Sequence, residues 1–240
     1  MGFVSCLCVT EAPLAGTKRA VRSFCAQTHE ERELVLGMCG PARRQAAIAR
    51  FVESLGRSDI RLVDGGGGIR ALAGAARGMF ACAWLAEDSS HPERLSTQCS
   101  ALAEGAAEAC LLGDWIVCAS EQRTLYWCTL AGGEGRTEAY GGLLAAREAF
   151  GACLDALHGG TWPPHGRASV DLAGAGPLLV RTPDRGASTP DGDRLVAATF
   201  ACERRDMLAS MLPEHHLPRP ALLEVRGTDG TPVVFDPFEA

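Results

Sequence analysis

Lysine is nearly missing from this chain: Lys18 is the only one in 240 residues, and the remaining positive charge is arginine. Schiff-base chemistry, which needs an amine nucleophile, is left almost without a candidate. Blocks of like charge are missing as well. The formal net charge of −6 is spread along the sequence, so the electrostatic footprint of a nucleic-acid or anionic-membrane binder is not there. No apolar run approaches the ~20 residues of a spanning helix. The opening MGFVSCLCVT has no basic region ahead of its apolar run, and Cys6 stands where a myristoylation pattern wants Ser or Thr. These features predict a soluble protein of a bacterial-type cytoplasm, with no nucleic-acid partner and no membrane span.

Several reactive motifs are also missing. There is no CxxC pair for a zinc ribbon or a thioredoxin-like site, no Gly-x-Ser-x-Gly elbow, and no Gly-Lys-Ser/Thr after the glycine run at Gly65–Gly68. What is abundant is cysteine. The count of 11 is odd and no export signal precedes it, which favours reduced thiols over a disulfide framework. Cys6 and Cys8 flank Leu7 on a predicted strand and so share one face, where Cys acts as a small hydrophobe. Cys25, Cys82, Cys110, Cys118, Cys128, Cys153 and Cys202 also sit in apolar runs.

Hydrophobic periodicity lays out four strand-then-helix units in the first hundred residues. The strands are Val4–Thr10, Glu33–Leu36, Ile60–Val63 and Met79–Trp84. Helices follow at Lys18–Gln27, with Ala20, Val21, Phe24 and Cys25 on one stripe, and at Arg43–Leu55, with Ala46, Ala47, Ile48, Phe51 and Val52 inward. A third runs from the glycine run through Ala76. Such alternation with near-continuous apolar strands predicts an α/β three-layer sandwich, a mainly parallel sheet flanked by helices. Ligands then gather at the strands' carboxyl ends, here Thr10–Leu14, Gly37–Pro41, Asp64–Gly68 and Leu85–Ser90.

The second half changes character. Strands are expected at Cys110–Cys118, Thr124–Leu130, Gly141–Leu144 and Pro177–Val180, and helices at Ala145–Leu157 and Glu203–Leu212. Asp229 and Gly230 between two apolar runs predict a C-terminal β-hairpin.

In order and spacing, VSCLCVTEAP, KRAVRSFCAQT, ERELVL, AARGMFACAW and HPERL resemble the N-terminal half of family 2 glycosyltransferases with the GT-A fold; YGGLLAAREAF and LLVRTPDRGAST resemble that family's later pieces. The resemblance covers Val4 to Thr189, most strongly to Leu95. It implies a GT-A-like domain over residues 1–190 and an appendage, helix plus hairpin, over 191–240. It also implies a nucleotide-diphosphate sugar at the strand tips, an Asp-x-Asp type motif holding Mn²⁺ or Mg²⁺ against the departing diphosphate, and a carboxylate base.

Each of those parts departs from the pattern. Thr10, Glu11 and Ala12 stand where the family has Thr, an aromatic and Asn, so only the Thr is kept. Gly37, Met38, Cys39, Gly40 and Pro41 stand where the family holds the nucleobase with two aspartates. The acidic metal run reads Leu85, Ala86, Glu87, Asp88: Glu87 and Asp88 would hold a weak divalent cation, or would form an exposed acidic pair, with Asp88 or Ser90 capping the helix after Pro92. The turn expected to carry the base reads Gly166, Arg167, Ala168, Ser169, which leaves Asp171 and His165 as substitutes.

Thr10, Glu11, Cys39, Gly67, Gly68 and Arg70 are thus the donor-binding candidates, the last three because a helix N-terminus suits phosphate; a plain connecting loop is the competing reading of the glycine run. Trp84, Trp115, Tyr126 and Trp127 are expected in strands, as core or as one wall of a sugar-sized cleft. Trp162, beside prolines, would stack on a ligand or bury against the fold. Adjacent His215 and His216 read as surface residues. The loss of the nucleobase acids, the first metal acid and the base together predicts a pseudo-glycosyltransferase, a binding or assembly subunit whose partner is a catalytic protein or a second copy. The alternative is an active atypical transferase using Glu87 and Asp88 with a weak metal.

Overall fold

The computed structural model describes residues 2–11, 13–86, 88–119, 124–129, 140–163, 168–172, 179–181, 223–226 and 232–235. Glu87, His165, the helix expected over Glu203–Leu212, the His215–His216 pair and the Asp229–Gly230 turn lie outside these residues.

The first four strands and their helices follow the predicted order: β1 (Val4–Val9), α1 (Leu14–Cys25), β2 (Arg32–Met38), α2 (Ala42–Ser54), β3 (Ile60–Asp64), α3 (Gly68–Ala75) and β4 (Phe80–Ala83). Helices α1 and α2 each start directly after a proline, Pro13 and Pro41, whose missing N–H costs nothing at a helix start. Then come β5 (Ser89–Ser90), α4 (Arg94–Glu104), β6 (Ala109–Leu112), β7 (Asp114–Ala119), β8 (Thr124–Thr129), β9 (Leu143–Ala146), α5 (Arg147–His158), β10 (Ser169–Leu172), β11 (Leu179–Arg181), β12 (Leu223–Arg226) and β13 (Pro232–Phe235).

Seven strands form the central sheet in the order β10-β6-β9-β4-β1-β2-β3. Strands β4, β1, β2 and β3 pair in parallel, β6 and β10 likewise, and β9 runs antiparallel between β4 and β6. Every strand except β9 therefore ends its carboxyl tip at one edge. Side chains alternate between two buried layers. Leu7, Val35, Ala81, Ala83, Leu111 and Leu143 pack with Leu72 and Phe150 on the α3 and α5 face. Cys6, Cys8, Leu34, Leu36, Cys82, Cys110 and Leu144 pack with Phe24, Ile48, Leu95 and Cys99 on the other. Burial on both sides is what a parallel sheet requires, and it contributes about 1.5–3 kcal/mol for each large apolar side chain. The alternation places Cys6 and Cys8 on one face, as expected.

A second sheet, β13-β12-β8-β7-β11-β5, leaves the first where the chain passes from β6 to β7. The single strand expected over Cys110–Cys118 is two, broken at Gly113, because its halves pair in different sheets. The predicted hairpin forms as β12 against β13 and joins this second sheet through β8. Two other expectations shift. Ala145 and Ala146 are strand, not helix, because their backbones pair with Ala81 and Phe80 of β4; pairing outweighs the helix preference of alanine. On α2 only Ile48 and Val52 are buried, while Ala46 faces solvent. No helix among the described residues is long and apolar enough to cross a membrane.

Candidate functional site at the strand tips

After β3 the chain returns past β1 to lay down β4, so strand order reverses between β1 and β4. Crevices at such a reversal, outside the carboxyl tips, are where α/β sheets hold ligands. Four loops meet there, after β1, β2, β3 and β4.

The first two loops are fastened together. Thr10, fully buried, donates from its hydroxyl to Gly37 O at 2.9 Å and accepts from Cys39 N at 3.0 Å. Arg44, in the first turn of α2, sends Nη2 to Thr10 O (2.9 Å) and Cys39 O (3.1 Å), and Nη1 to Glu11 O (3.1 Å). Gly40 makes room for it: φ is +80°, and a Cβ there would sit 2.2 Å from Arg44 Nη2. The kept threonine thus acts as a structural clip between β1 and β2, with its side chain turned inward. Glu11 is exposed, and Cys39 is half-buried. Burial, then the Glu11 and Asp64 charges, push the Cys39 thiol up, against the pull of Arg44.

The glycine run of the third loop has a packing role at its start. A Cβ on Gly65 would lie 2.5 Å from Cys39 Sγ and 2.6 Å from the carbonyl carbon of Gly37, so the third loop can approach the second only because Gly65 has none. Gly66 N donates to Asp64 Oδ1 at 3.0 Å, closing the turn, and Gly68 (φ +66°) opens α3. Arg70 points from α3 to α5, where Asp155 holds it through both carboxylate oxygens, Nη1 to Oδ2 at 3.1 Å and Nη2 to Oδ1. The helix N-terminus carries Gly67 and Gly68 at the tip, whereas the Arg70 charge is engaged with α5.

In the fourth loop, Asp88 is not exposed: it is 3% accessible. Its carboxylate packs against Gly141, where a Cβ would sit 2.9 Å from Asp88 Oδ2 and 3.0 Å from Leu85 Cδ1. Nor does Asp88 or Ser90 cap the next helix, since α4 has no side-chain cap. Glu93 N instead donates to His91 Nδ1 at 3.2 Å, and burial pushes His91 down, which keeps its ring neutral for that role. Ser90 Oγ accepts from Arg94.

Arg94 is the residue beneath this loop, and it is completely buried. Its guanidinium donates to Ser90 Oγ (2.9 Å), Gln98 Oε1 (3.1 Å), Ala83 O (3.1 Å) and Gly141 O (2.6 Å), and lies 5.0 Å from the Trp84 ring centre. Gln98 continues the network to Gly142 O at 2.8 Å. The frame of the fourth loop is therefore built on a cation that ties β4, α4 and the turn before β9.

A divalent cation with oxygen ligands needs several oxygens converging on one open point. The described part of this loop supplies one carboxylate, packed inward, beside Leu85 and Ala86. Among the described residues no group of three or more His, Cys, Asp or Glu side chains converges as a metal site.

The base candidates are only partly placed. Asp171 lies on β10, opposite Leu111 of β6 and one residue from the strand's carboxyl end. It thus belongs to the same edge of the sheet as the four loops. The tryptophans resolve toward structure. Trp84 is buried, with Nε1 donating to Ala20 O at 2.9 Å, Trp115 is buried, and Trp162 is buried in the α5-side core. Tyr126 and Trp127 lie on β8.

Arg44 and Arg94 are the residues that the sequence did not single out. Arg94 stands inside the HPERL segment that carries the resemblance, and a cation two residues after a helix-opening proline was its one available signal. Arg44 had none, because its three carbonyl partners come from other loops.

No family model matches the chain, and no curated protein matches its sequence. Solved structures do match its fold. Residues 1–349 of TarS from S. aureus, in complex with UDP-GlcNAc, align with a TM-score of 0.52 and 12% identity over 88% of this chain and 66% of TarS 1–349. The mannosyltransferase PcManGT from Pyrobaculum calidifontis, in complex with GDP-Man and Mn²⁺, aligns with a TM-score of 0.52 and 13% identity over 89% of this chain and 63% of the enzyme. Against the longer TarS structure the TM-score is 0.53, and this chain spans 44% of it. At such identities the likeness is one of architecture: this chain has the fold of GT-A-type glycosyltransferases and spans less than two thirds of the length of these three.

Proposed function

We propose that this chain is a glycosyltransferase-like protein whose transferase activity is lost or greatly weakened, and that it works as a binding or assembly subunit beside a catalytic protein or a second copy of itself. The observation that carries this reading is the packing of Asp88. It is the one described acid of the metal-type motif, and its carboxylate lies beside Gly141 at 3% accessibility. A carboxylate so placed does not face a departing diphosphate, and electrostatic stabilisation is commonly the largest single catalytic term. The missing nucleobase acids after β2 add to this, since Gly37 to Pro41 offers none.

An active atypical transferase is the second reading. Asp171 favours it, because it lies near the carboxyl end of β10, where it or His165 would act as base, with Glu87 and Asp88 on a weak Mn²⁺ or Mg²⁺. Thermal unfolding with UDP, GDP and their sugars, with and without Mn²⁺, separates the two. Ligand at 100 times its Kd raises stability by about 2.7 kcal/mol. The subunit reading expects no stabilisation that depends on Mn²⁺ and no sugar transfer. A Mn²⁺-dependent rise in Tm with a nucleotide sugar, accompanied by turnover, overturns it.

A further inference from the structure

We infer that Cys82 is the counter-ion of Arg94: in the folded core its sulfur stands as a thiolate that accepts from Arg94 of α4 and from Cys6 of β1, so the brace of the fourth loop is an ion pair. The inference concerns the layer beneath the strand tips and holds for either reading of what the tips bind.

The partners of Arg94 carry the argument. Its guanidinium is completely buried, and among the described residues it pairs with no carboxylate. Ser90 Oγ, Gln98 Oε1, Ala83 O and Gly141 O are neutral acceptors. The fifth partner is Cys82 Sγ, 3.4 Å from Nη2, and it alone of the five can carry a negative charge. A buried cation left without an opposite charge is costly, because the interior screens it poorly; a thiol beside it supplies that charge by giving up its proton.

Cys6 completes the arrangement. It is the register partner of Cys82 across β1 and β4, and both are completely buried on one face of the sheet. Burial pushes Cys6 well above an ordinary thiol, and the hydrogen bond and charge of Cys82 add to this, so Cys6 keeps its proton and donates it. Burial pushes Cys82 the same way, but the Cys6 hydrogen bond and the Arg94 charge outweigh burial and bring Cys82 down. The other ionisable groups around this layer are Cys8 on β1, Arg32 on β2, Cys99 on α4, Cys110 on β6 and Asp88 in the fourth loop. Cys99 stays protonated, pushed up to about 12. A neutral Cys82 would instead donate to Ala83 O, 3.6 Å away. That carbonyl already accepts from Arg94, and Cys8 stands 4.0 Å from Val9 O in the same way, so the contact is the local geometry of a strand cysteine.

The test titrates the whole folded chain by the ultraviolet absorbance of thiolate, in wild type, Cys82→Ser, Cys6→Ala and Cys99→Ser. At neutral pH folded wild type carries one thiolate more than the same protein unfolded in urea, whose thiols ionise near the ordinary 9.0. Cys82→Ser lacks that extra thiolate, Cys99→Ser keeps it, and Cys6→Ala shifts its titration to higher pH. Stability reads the same proton. A folded-state value below the unfolded one gives stability that is fully present above 9.0 and lost as pH falls through the folded value. Between the two, the folding constant of wild type relative to Cys82→Ser should therefore rise about tenfold per pH unit. Folded wild type with no extra thiolate at neutral pH overturns the inference, and so does an extra thiolate that persists in Cys82→Ser. If Cys82→Ser fails to fold, Cys6→Ala decides: a titration that does not move overturns the pair.

Discussion

Arg94 Nη2 donates to the carbonyl of Gly141 at 2.6 Å, joining the first turn of α4 to the turn that leads into β9. The bond spans 47 positions of chain and sits in full burial. Beside it, Asp88 packs on the α-carbon of the same glycine. Gly141 therefore neighbours both the buried cation and the buried carboxylate.

Arg94→Ala should be among the most destabilising single changes in the chain. It strips the Ala83 and Gly141 carbonyls and Ser90 Oγ of a charged donor, and leaving buried acceptors unsatisfied costs about 1–3 kcal/mol each. A loss above about 3 kcal/mol in urea unfolding is expected. Arg94→Lys should recover only part of it, since an ammonium cannot span the same fork. A loss under about 1 kcal/mol for Arg94→Ala would show that the network is not what holds the loop.

Glu33 sets an acid limit on stability. Burial would raise its carboxyl, but hydrogen bonds from Ser5 Oγ (2.7 Å), Arg61 Nη1 (2.9 Å) and Arg77 N (2.7 Å) outweigh burial and hold it below the usual carboxylate range. A depressed folded-state pKa gives stability that is present above the unfolded value, near 4.5, and lost as pH falls through the folded one. Glu33→Gln should therefore cost roughly 2 kcal/mol at pH 7, and the gap to wild type should narrow as pH drops below that value. A gap independent of pH between neutrality and acid unfolding would count against the network.

Two glycines should respond oppositely to alanine. Gly65→Ala places a methyl 2.5 Å from Cys39 Sγ and 2.6 Å from Gly37 C, where the backbone cannot give way cheaply, and should cost about 1–3 kcal/mol. Gly74→Ala, inside α3 with nothing within 4 Å of its Cβ position, should raise stability by roughly 0.5–1 kcal/mol. Paired denaturation curves check both, and equal effects would contradict the packing described.

The described thiols should divide by burial. Cys25 and Cys39 are half-buried, whereas Cys6, Cys8, Cys82, Cys99, Cys110 and Cys153 are buried. Burial pushes Cys99 up to about 12 and raises Cys6 well above an ordinary thiol, so neither forms thiolate at pH 8. Alkylation followed by peptide mapping should find Cys25 and Cys39 modified in the native protein and the six buried thiols modified only in denaturant. Because Cys25 and Cys39 are themselves raised, chiefly by burial, their rates should climb steeply above pH 8.

How far the site could be read in advance differs from loop to loop. The positions of the loops were legible, because apolar runs mark the strands and ligands gather at strand tips. The glycine run was legible as special, for an anion at Gly67 and Gly68, whereas the close approach of Gly65 to Gly37 was not. For Asp88 the exposed reading fails: an acid ahead of a helix ordinarily faces water, whereas here the turn at Gly141, more than fifty residues on, lies beside it and the residue is buried. Thr10 was noted as a surviving binding residue, yet its hydroxyl is consumed by Gly37 and Cys39.

The sequence by itself determined the succession of elements in the first four units, the two-faced burial that sends Leu7 one way and Cys6 and Cys8 the other, and the terminal hairpin, because each is a local matter of period and turn chemistry. Tertiary structure alone decided that Gly113 splits one apolar run between two sheets, that Ala145 and Ala146 become strand, and that Arg44 and Arg94 are the cations that brace the loops at the strand tips. Those outcomes depend on which carbonyls and which strand edges arrive at a given point in space, and such partners lie tens of residues away, beyond the reach of any local pattern.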